Sequence, residues 1–319
     1  MREVDALAGW IPLFLSSNGA QPTVDWGYMG RERFTEPFCH DTLQRLASRP
    51  FNHLFRHQSG LELLRQRVQQ YPGLPLRGIV FHMSRCGSTL AAQWLGSLSD
   101  SVVLSEPEPL DTLLQWPEIY GDTETIRALL SALGQPRRTD DHRLFLKTDC
   151  WHILHIDRLL AAFPDTPWIF LYRDPVEVLV SHQRIPGWQL VPGSMSAHGL
   201  HAPDEVMNHP LGHGAWILSV ILKQAAQAFR HHGNGVLLNY SELPQALEST
   251  LSEHFNIKRN RRNIAAEKKI LGHHAKNSHI PFQPDSAEKR EAADTEVRAL
   301  AERWLNEPYQ VLEQLRHDQ

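Results

Sequence analysis

From Leu76 to Leu98 the chain reads LRGIVFHMSRCGSTLAAQWLGSL. An apolar run, Gly78 to Met83, meets a cluster of small polar residues, Ser84-Arg85-Cys86-Gly87-Ser88-Thr89. Leu90, Trp94, Leu95 and Leu98 then fall on one face of a helix. A strand that turns straight into a helix is the unit of a parallel sheet. The unit recurs downstream. Short apolar runs at Ile79–Met83, Val102–Leu104, Leu144–Lys147, Trp168–Tyr172 and Val236–Tyr240 alternate with helix-like segments near 88–98, 123–133, 153–163, 175–184 and 211–231. This alternation predicts an α/β fold with a central parallel sheet and helices on both faces.

The remainder of the chain is read around that core. Residues 1–70 hold no convincing strand, while Asp41–Ala47 and Gly60–Val68 carry apolar residues at helical spacing. A helical N-terminal extension, 1–70, packed on a main domain, 71–319, is therefore expected. Ile185 to Pro210, rich in Pro, Gly and His, reads as a long loop of the kind that carries binding function, and a final helix spans about Ser286 to Leu315. The apolar run Ala8–Leu15 is too short, and follows Glu3 and Asp5 rather than a basic start, to resemble a signal peptide. The three cysteines, Cys39, Cys86 and Cys150, are odd in number, have no metal-like spacing and suit a reducing, cytoplasmic setting. A net charge of −4 argues against a general nucleic-acid binder, and no run of about 18 apolar residues suggests a membrane span.

Ligands of parallel α/β sheets collect at the carboxyl ends of strands. A helix starting there directs free N–H groups and a partial positive charge at an anion. Gly87 lets the backbone approach closely, Ser88 and Thr89 add hydroxyls, and Arg85 adds full charge. The plainer reading is a strand-to-helix turn with Ser as the N-cap. The nucleotide-hydrolase pattern G-x-x-x-x-G-K-(S/T) is not met, because Ser88 follows Gly87 and His82 stands at the first glycine position. A second strand–turn–helix, Pro164 to Ser181, places Arg173 at the strand end, Pro175 in the first helical turn and Ser181 two turns on. Arg173 and Ser181 are positioned to converge on a second anion.

Together these segments resemble the sulfotransferases that use 3′-phosphoadenosine 5′-phosphosulfate. Arg85-Cys86-Gly87-Ser88-Thr89 matches their (K/R)-S-G-(S/T)-T loop, which holds the 5′-phosphosulfate. Arg173-Asp174-Pro175 with Ser181 matches R-(D/N)-P-x-x-x-x-x-S, which holds the 3′-phosphate. Phe145-Leu146-Lys147-Thr148 resembles the K-T-P strand end, with Asp149 in place of Pro. Asn239-Tyr240-Ser241-Glu242-Leu243 resembles Y-E-x-L, whose Tyr lies near adenine, and Ser105-Glu106 stands where Golgi-type and many bacterial members carry a catalytic Glu. The absence of the R-K-G segment points to the Golgi-like and bacterial branch, and Cys86 in place of Ser removes one strong donor. The resemblance covers about 75–245.

The resemblance implies a P-loop-type three-layer fold and transfer of a sulfuryl group to a hydroxyl or amine of a small-molecule acceptor. Peptide and sugar acceptors stay open. Arg85 would stabilise the bridging oxygen, Lys147 would assist at the sulfuryl group, and Glu106 would take the acceptor's proton. Arg85, Cys86, Gly87, Ser88 and Thr89, with Arg173, Ser181 and Tyr240, would hold the nucleotide. No metal is expected. The plain alternative for Glu106 is a solvated strand-end carboxylate. Among 19 histidines, His82, His152, His155, His198, His201, His209 and His213 are the other base candidates. They read as scattered surface residues, with His182 simply exposed. The basic run Lys258 to Arg262, with Lys268, Lys269 and Lys276, is a solvated face or, by resemblance, a contact to the 3′-phosphate. An ATP-dependent P-loop kinase and a non-catalytic nucleotide-binding module remain as alternatives. The oligomeric state does not follow from the sequence.

Overall fold

The computed structural model describes residues 5–17, 21–121, 123–258 and 285–319, together with Ile264, Ile270 and a short hairpin, His273–His274 with Asn277–Pro281. Its centre is a five-stranded sheet of β4 (Leu76–His82), β5 (Ser101–Ser105), β6 (Arg143–Lys147), β7 (Trp168–Tyr172) and β8 (Gly235–Asn239). The spatial order is β5-β6-β4-β7-β8 and every pair is parallel. The five apolar runs of the sequence are these five strands. All five residues of β7 are buried, as a strand covered on both faces requires.

The order determines where a ligand can sit. From β4 the chain moves to the β5 side, and from β7 it moves to β8 on the other side. Consecutive connections therefore diverge between β4 and β7, and a crevice opens at their carboxyl ends. The two strands end in register, with His82 opposite Leu171, Met83 N–H donating to Leu171 C=O at 3.1 Å, and Arg173 N–H reaching Met83 Sδ at 3.2 Å. The turn after β4 and the residue ending β7 thus open onto one crevice.

The first 70 residues differ from the helical expectation. They contain a three-stranded antiparallel sheet, β1 (Trp10–Ser17), β2 (Pro22–Tyr28) and β3 (His57–Gly60), as well as the helices Cys39–Ala47, Pro50–Leu54 and Leu61–Gln70. A register shift between Pro12 and Phe14 breaks the alternation of β1, so its apolar run lacks a clean strand period. The Leu61–Gln70 helix packs on Thr123–Leu133, where Arg65 Nη2 donates to Thr125 Oγ1 at 2.7 Å.

The C-terminal helix also departs from expectation. It is divided into Ser286–Ala292, Thr295–Leu300 and Asn306–His317, with a wide turn over Ala301–Leu305. Asp294 starts the second piece as its N-cap, accepting from Val297 N–H at 2.8 Å. The 185–210 stretch is anchored rather than solvated throughout, because Gln189, Leu190, Met195 and His198 are buried. No helix among the described residues is long and apolar enough to cross a membrane.

Candidate active site

The turn after β4 is held in uncommon backbone. Ser84 (φ 82°), Arg85 (φ 51°) and Gly87 (φ 86°) are all left-handed, and so is Glu106 (φ 53°) at the end of β5. Non-glycine residues adopt this region rarely, and it concentrates where a structure fixes a functional side chain. Gly87 is itself the N-cap of the Ser88–Ser97 helix, which has no side-chain cap. The serine cap of the plainer reading is therefore not formed, and Ser88 is already helical. A Cβ on Gly87 would lie 2.8 Å from Leu243 Cδ1 and 3.0 Å from Tyr240 Cδ2. The glycine serves both its backbone angle and this packing.

A cavity of about 640 Å³ opens at the turn. Arg85, Cys86, Gly87, Ser88, Thr89, Glu106, Lys147, Arg173, Ser181 and Tyr240 all line it. Every residue to which the resemblance gives a catalytic or nucleotide-holding role therefore lines one cavity. Arg85 Nη2 donates to Ile185 C=O at 2.7 Å, which ties the turn to the 185–210 loop. The Cys86 thiol donates to Leu171 C=O at 3.1 Å, and burial pushes its pKa up to about 11. That is the opposite of an activated thiol at a helix start.

On the other side of the cavity Lys147 Nζ pairs with Glu106 Oε1, and His82 Nε2 lies 3.4 Å from the same oxygen. Burial would raise the Glu106 carboxyl, but the Lys147 ammonium and then His82 hold it well below the usual range. His82 Nδ1 accepts from Ser84 N–H at 3.0 Å, so its proton resides on Nε2, which donates to Thr148 C=O at 2.9 Å. Burial, then Lys147, lowers its pKa to about 4. Both ring nitrogens are engaged, and His82 acts as a neutral strut rather than a free base. The Phe38 ring lies 5.3 Å from Lys147 Nζ and brings the N-terminal segment into the cavity wall.

The β7 end is more heavily paired than an Arg–Ser anion site implies. The Arg173 side chain is buried, its Nε donates to Glu177 Oε2 at 2.6 Å, and its Nη2 donates to Asp285 Oδ1 at 2.6 Å and Ser286 Oγ at 3.2 Å. Its guanidinium carbon stacks 3.8 Å from the centre of the Tyr240 ring. Asp174 caps the Pro175–Arg184 helix, accepting from Val176 and Glu177 N–H. Lys289 Nζ pairs with Asp285 Oδ2 at 2.7 Å, and both residues line the cavity. Of the basic run, Lys258 is exposed, and Arg259 to Arg262 with Lys268, Lys269 and Lys276 lie outside the described residues.

The histidines are not merely surface residues. His82, His152, His182, His198 and His213 are all buried. His182 Nδ1 accepts from Gly187 N–H at 3.3 Å inside the 185–210 loop. Asp111 Oδ1 accepts from His152 Nε2 and Trp151 Nε1, each at 2.7 Å, and lies 3.3 Å from His198 Nε2. His198 Nδ1 in turn contacts His155 Nε2 at 3.0 Å. Ligand atoms of Asp111, Asp149 and His152 come within 4.8 Å of one another, a three-residue group that holds His152 but not His155 and that spacing alone did not reveal. The hydrogen bonding opposes a metal there. His152 Nδ1 accepts from Asp149 N–H at 3.3 Å, so Nε2 keeps its proton and points it at Asp111. A ligating nitrogen must be bare, with the proton on the other one. The cluster is a buried hydrogen-bond network that pins the 185–210 loop to the helix Glu108–Gln115.

Asp149, Trp151, Trp188, Asp285 and Lys289 line the cavity without having been singled out from the sequence. Only Asp149 carried a signal, as the departure from Pro in the K-T-P resemblance. Burial, then Glu106 and Asp111, push its carboxyl well above the usual range.

No family model matches the chain, and no curated protein matches its sequence. Solved structures do. Sulfotransferase STF9 from Mycobacterium avium has 16% sequence identity and a TM-score of 0.50, covering 77% of this chain and 80% of its own. Sulfotransferase STF1 from Mycobacterium tuberculosis H37Rv has 15% identity and a TM-score of 0.49, covering 77% and 82%. The first likeness shows the fold, a P-loop-type α/β domain.

Proposed function

We propose that the protein is a sulfotransferase that moves a sulfuryl group from 3′-phosphoadenosine 5′-phosphosulfate to a hydroxyl or amine of a small-molecule acceptor. The observation that carries this reading is a single cavity lined both by the Gly87–Thr89 helix start and by Arg173 with Ser181. A nucleotide with anions at both ends of its ribose fits such a pair of anchors, and about 640 Å³ is within the range of small-molecule sites.

The nucleotide supplies the activated sulfuryl group and a phosphate leaving group. The chain's residues bind it, align it and move one proton. N–H groups of the uncapped helix start and the Ser88 and Thr89 hydroxyls hold the 5′-phosphate. Arg85 neutralises charge on the leaving oxygen. Tyr240 packs beside the adenine end. Lys147 exchanges its partner, leaving Glu106 for the sulfuryl oxygens. The exchange restores proton affinity to Glu106 as the acceptor's proton must be taken, since a base held far below neutral pH is a weak one. The Lys147–Glu106 pair is thus the resting form of both groups.

The test is product analysis. Purified protein is offered a panel of hydroxyl and amine acceptors with the phosphosulfate nucleotide, or with ATP and magnesium. Sulfated product with the first donor supports the reading. Phosphorylated product with the second, or nucleotide binding with no product from either donor across the panel, contradicts it.

A further inference from the structure

Two carboxylates sit on the Arg173 guanidinium, and they are not equivalent. Glu177 lies one helical turn beyond Arg173, its side chain is 3% exposed, and Ser286 Oγ and Arg290 Nε also donate to it, at 2.8 Å each. It is a fixed part of the wall. Asp285 comes from 112 residues further along the chain, and its side chain is 36% exposed. It precedes the Ser286–Ala292 helix but makes no capping hydrogen bond to it. Its carboxylate is instead clamped between Arg173 Nη2 at 2.6 Å and Lys289 Nζ at 2.7 Å. Asp285, Lys289 and Arg173 line the same cavity as the helix start at Gly87.

We propose that Arg173 and Lys289 form an anion site whose resident in the free protein is the chain's own Asp285 carboxylate, which an incoming phosphate must displace. Without Asp285, Arg173 keeps Glu177 on its Nε, but its Nη2 and the Lys289 ammonium, on residues 4% and 7% exposed, lose the carboxylate they share, and another anion between them restores it. A phosphate dianion outbids a carboxylate, since it brings more charge and a third acceptor oxygen to the same two donors. Asp285 therefore filters ligands. One with a phosphate at this end displaces it, and one without leaves it in place and gains nothing from Arg173 or Lys289. For a nucleotide this rests on the reading of the cavity given above, but the anion site itself does not.

The experiment compares wild type with Asp285→Asn and Asp285→Ala by calorimetry and thermal unfolding. The probes are adenosine 3′,5′-bisphosphate, adenosine 5′-monophosphate and inorganic sulfate. Both variants are expected to bind the bisphosphate about tenfold more tightly than wild type, with the monophosphate unchanged. Sulfate is expected to raise their unfolding temperature more than that of wild type, and adding Lys289→Met to Asp285→Asn is expected to remove that excess. If no nucleotide binds but the excess sulfate stabilisation appears, the nucleotide reading fails and the anion site stands. If the bisphosphate binds equally or more weakly in both variants and sulfate stabilises all proteins alike, Asp285 is a fixed structural partner and the proposal is overturned.

Discussion

Lys147 and Glu106 meet because two strands end in register. Ser105 of β5 pairs with Lys147 of β6, and Glu106 N–H donates to the Lys147 carbonyl at 2.7 Å. The side chains of the next step then form their ion pair at the cavity. If Glu106 takes the acceptor's proton, Glu106→Gln lowers turnover about 10²–10⁴-fold while nucleotide affinity changes little. Steady-state kinetics beside calorimetry checks this, and a turnover within threefold of wild type removes Glu106 as the base.

The same pair fixes the direction of a pH effect. Lys147 is the main influence lowering the Glu106 carboxyl against its burial. In Lys147→Met that influence is gone and the carboxyl titrates at higher pH. The acid limb of the rate profile then moves upward in pH, on a lower plateau. An acid limb unmoved in Lys147→Met assigns it to another group.

Arg173→Ala is expected to weaken adenosine 3′,5′-bisphosphate binding by at least about tenfold and adenosine 5′-monophosphate binding much less. Removing one partner of a buried ion pair also destabilises, here by less than the roughly 3–5 kcal/mol of a carboxylate left unpaired, because Glu177 keeps Arg290 Nε and Ser286 Oγ. The binding comparison is therefore made well below the variant's unfolding temperature. Equal losses for the two nucleotides contradict the assignment of Arg173 to the far anion.

Acid should unfold this protein early. His82 is 4% exposed, and its pKa in the fold is about 4 against an ordinary 6.5. As pH falls from 6.5 to 4, the unfolded chain takes up a proton that the fold refuses, and stability drops through that window. The loss from this residue is about 3 kcal/mol, and none is added below pH 4. His152 and His155 shift the same way, each chiefly by burial. Urea midpoints measured between pH 7 and 4 report the slope, and a flat profile contradicts it.

Gly87→Ala forces a side chain onto a left-handed residue and into Leu243 and Tyr240. Strain of this kind costs about 1–3 kcal/mol. The expected result is a lower unfolding temperature together with weaker binding of both adenosine nucleotides, since the helix start and the Tyr240 ring shift with it. Unchanged unfolding and binding contradict this.

The five central strands were legible because each is a short run buried on both faces, where the apolar pattern has no competitor. β3 was not, since His57–Gly60 has no apolar side chain and is a strand only through its pairing with β2. β2 did carry a signal, with Val24 and Trp26 buried in alternation, but Pro22 and Gly27 bracket it with turn-like residues. At the site, Arg173 and Ser181 could be read from one segment, whereas Asp285 could not, because a contact across 112 residues leaves no local pattern. His201 and His209 are exposed as their composition suggests, whereas the burial of His152 and His198 is hidden for a related reason. His198 and His152 are buried by Asp111, and nothing near any of the three announces the other two.

Phe38 comes from the segment between β2 and the Cys39–Ala47 helix, and Cys39 Sγ accepts the Ser105 N–H at 3.2 Å. One flank of the pocket is thus inherited from a different stretch of the gene than the turn at Gly87 and the Arg173 strand end. A chimera that exchanges the first 70 residues would remodel the surface beside Lys147 while leaving the helix start at Gly87 and Arg173 intact. Substrate choice and donor choice could then diverge independently in descendants of such a chain.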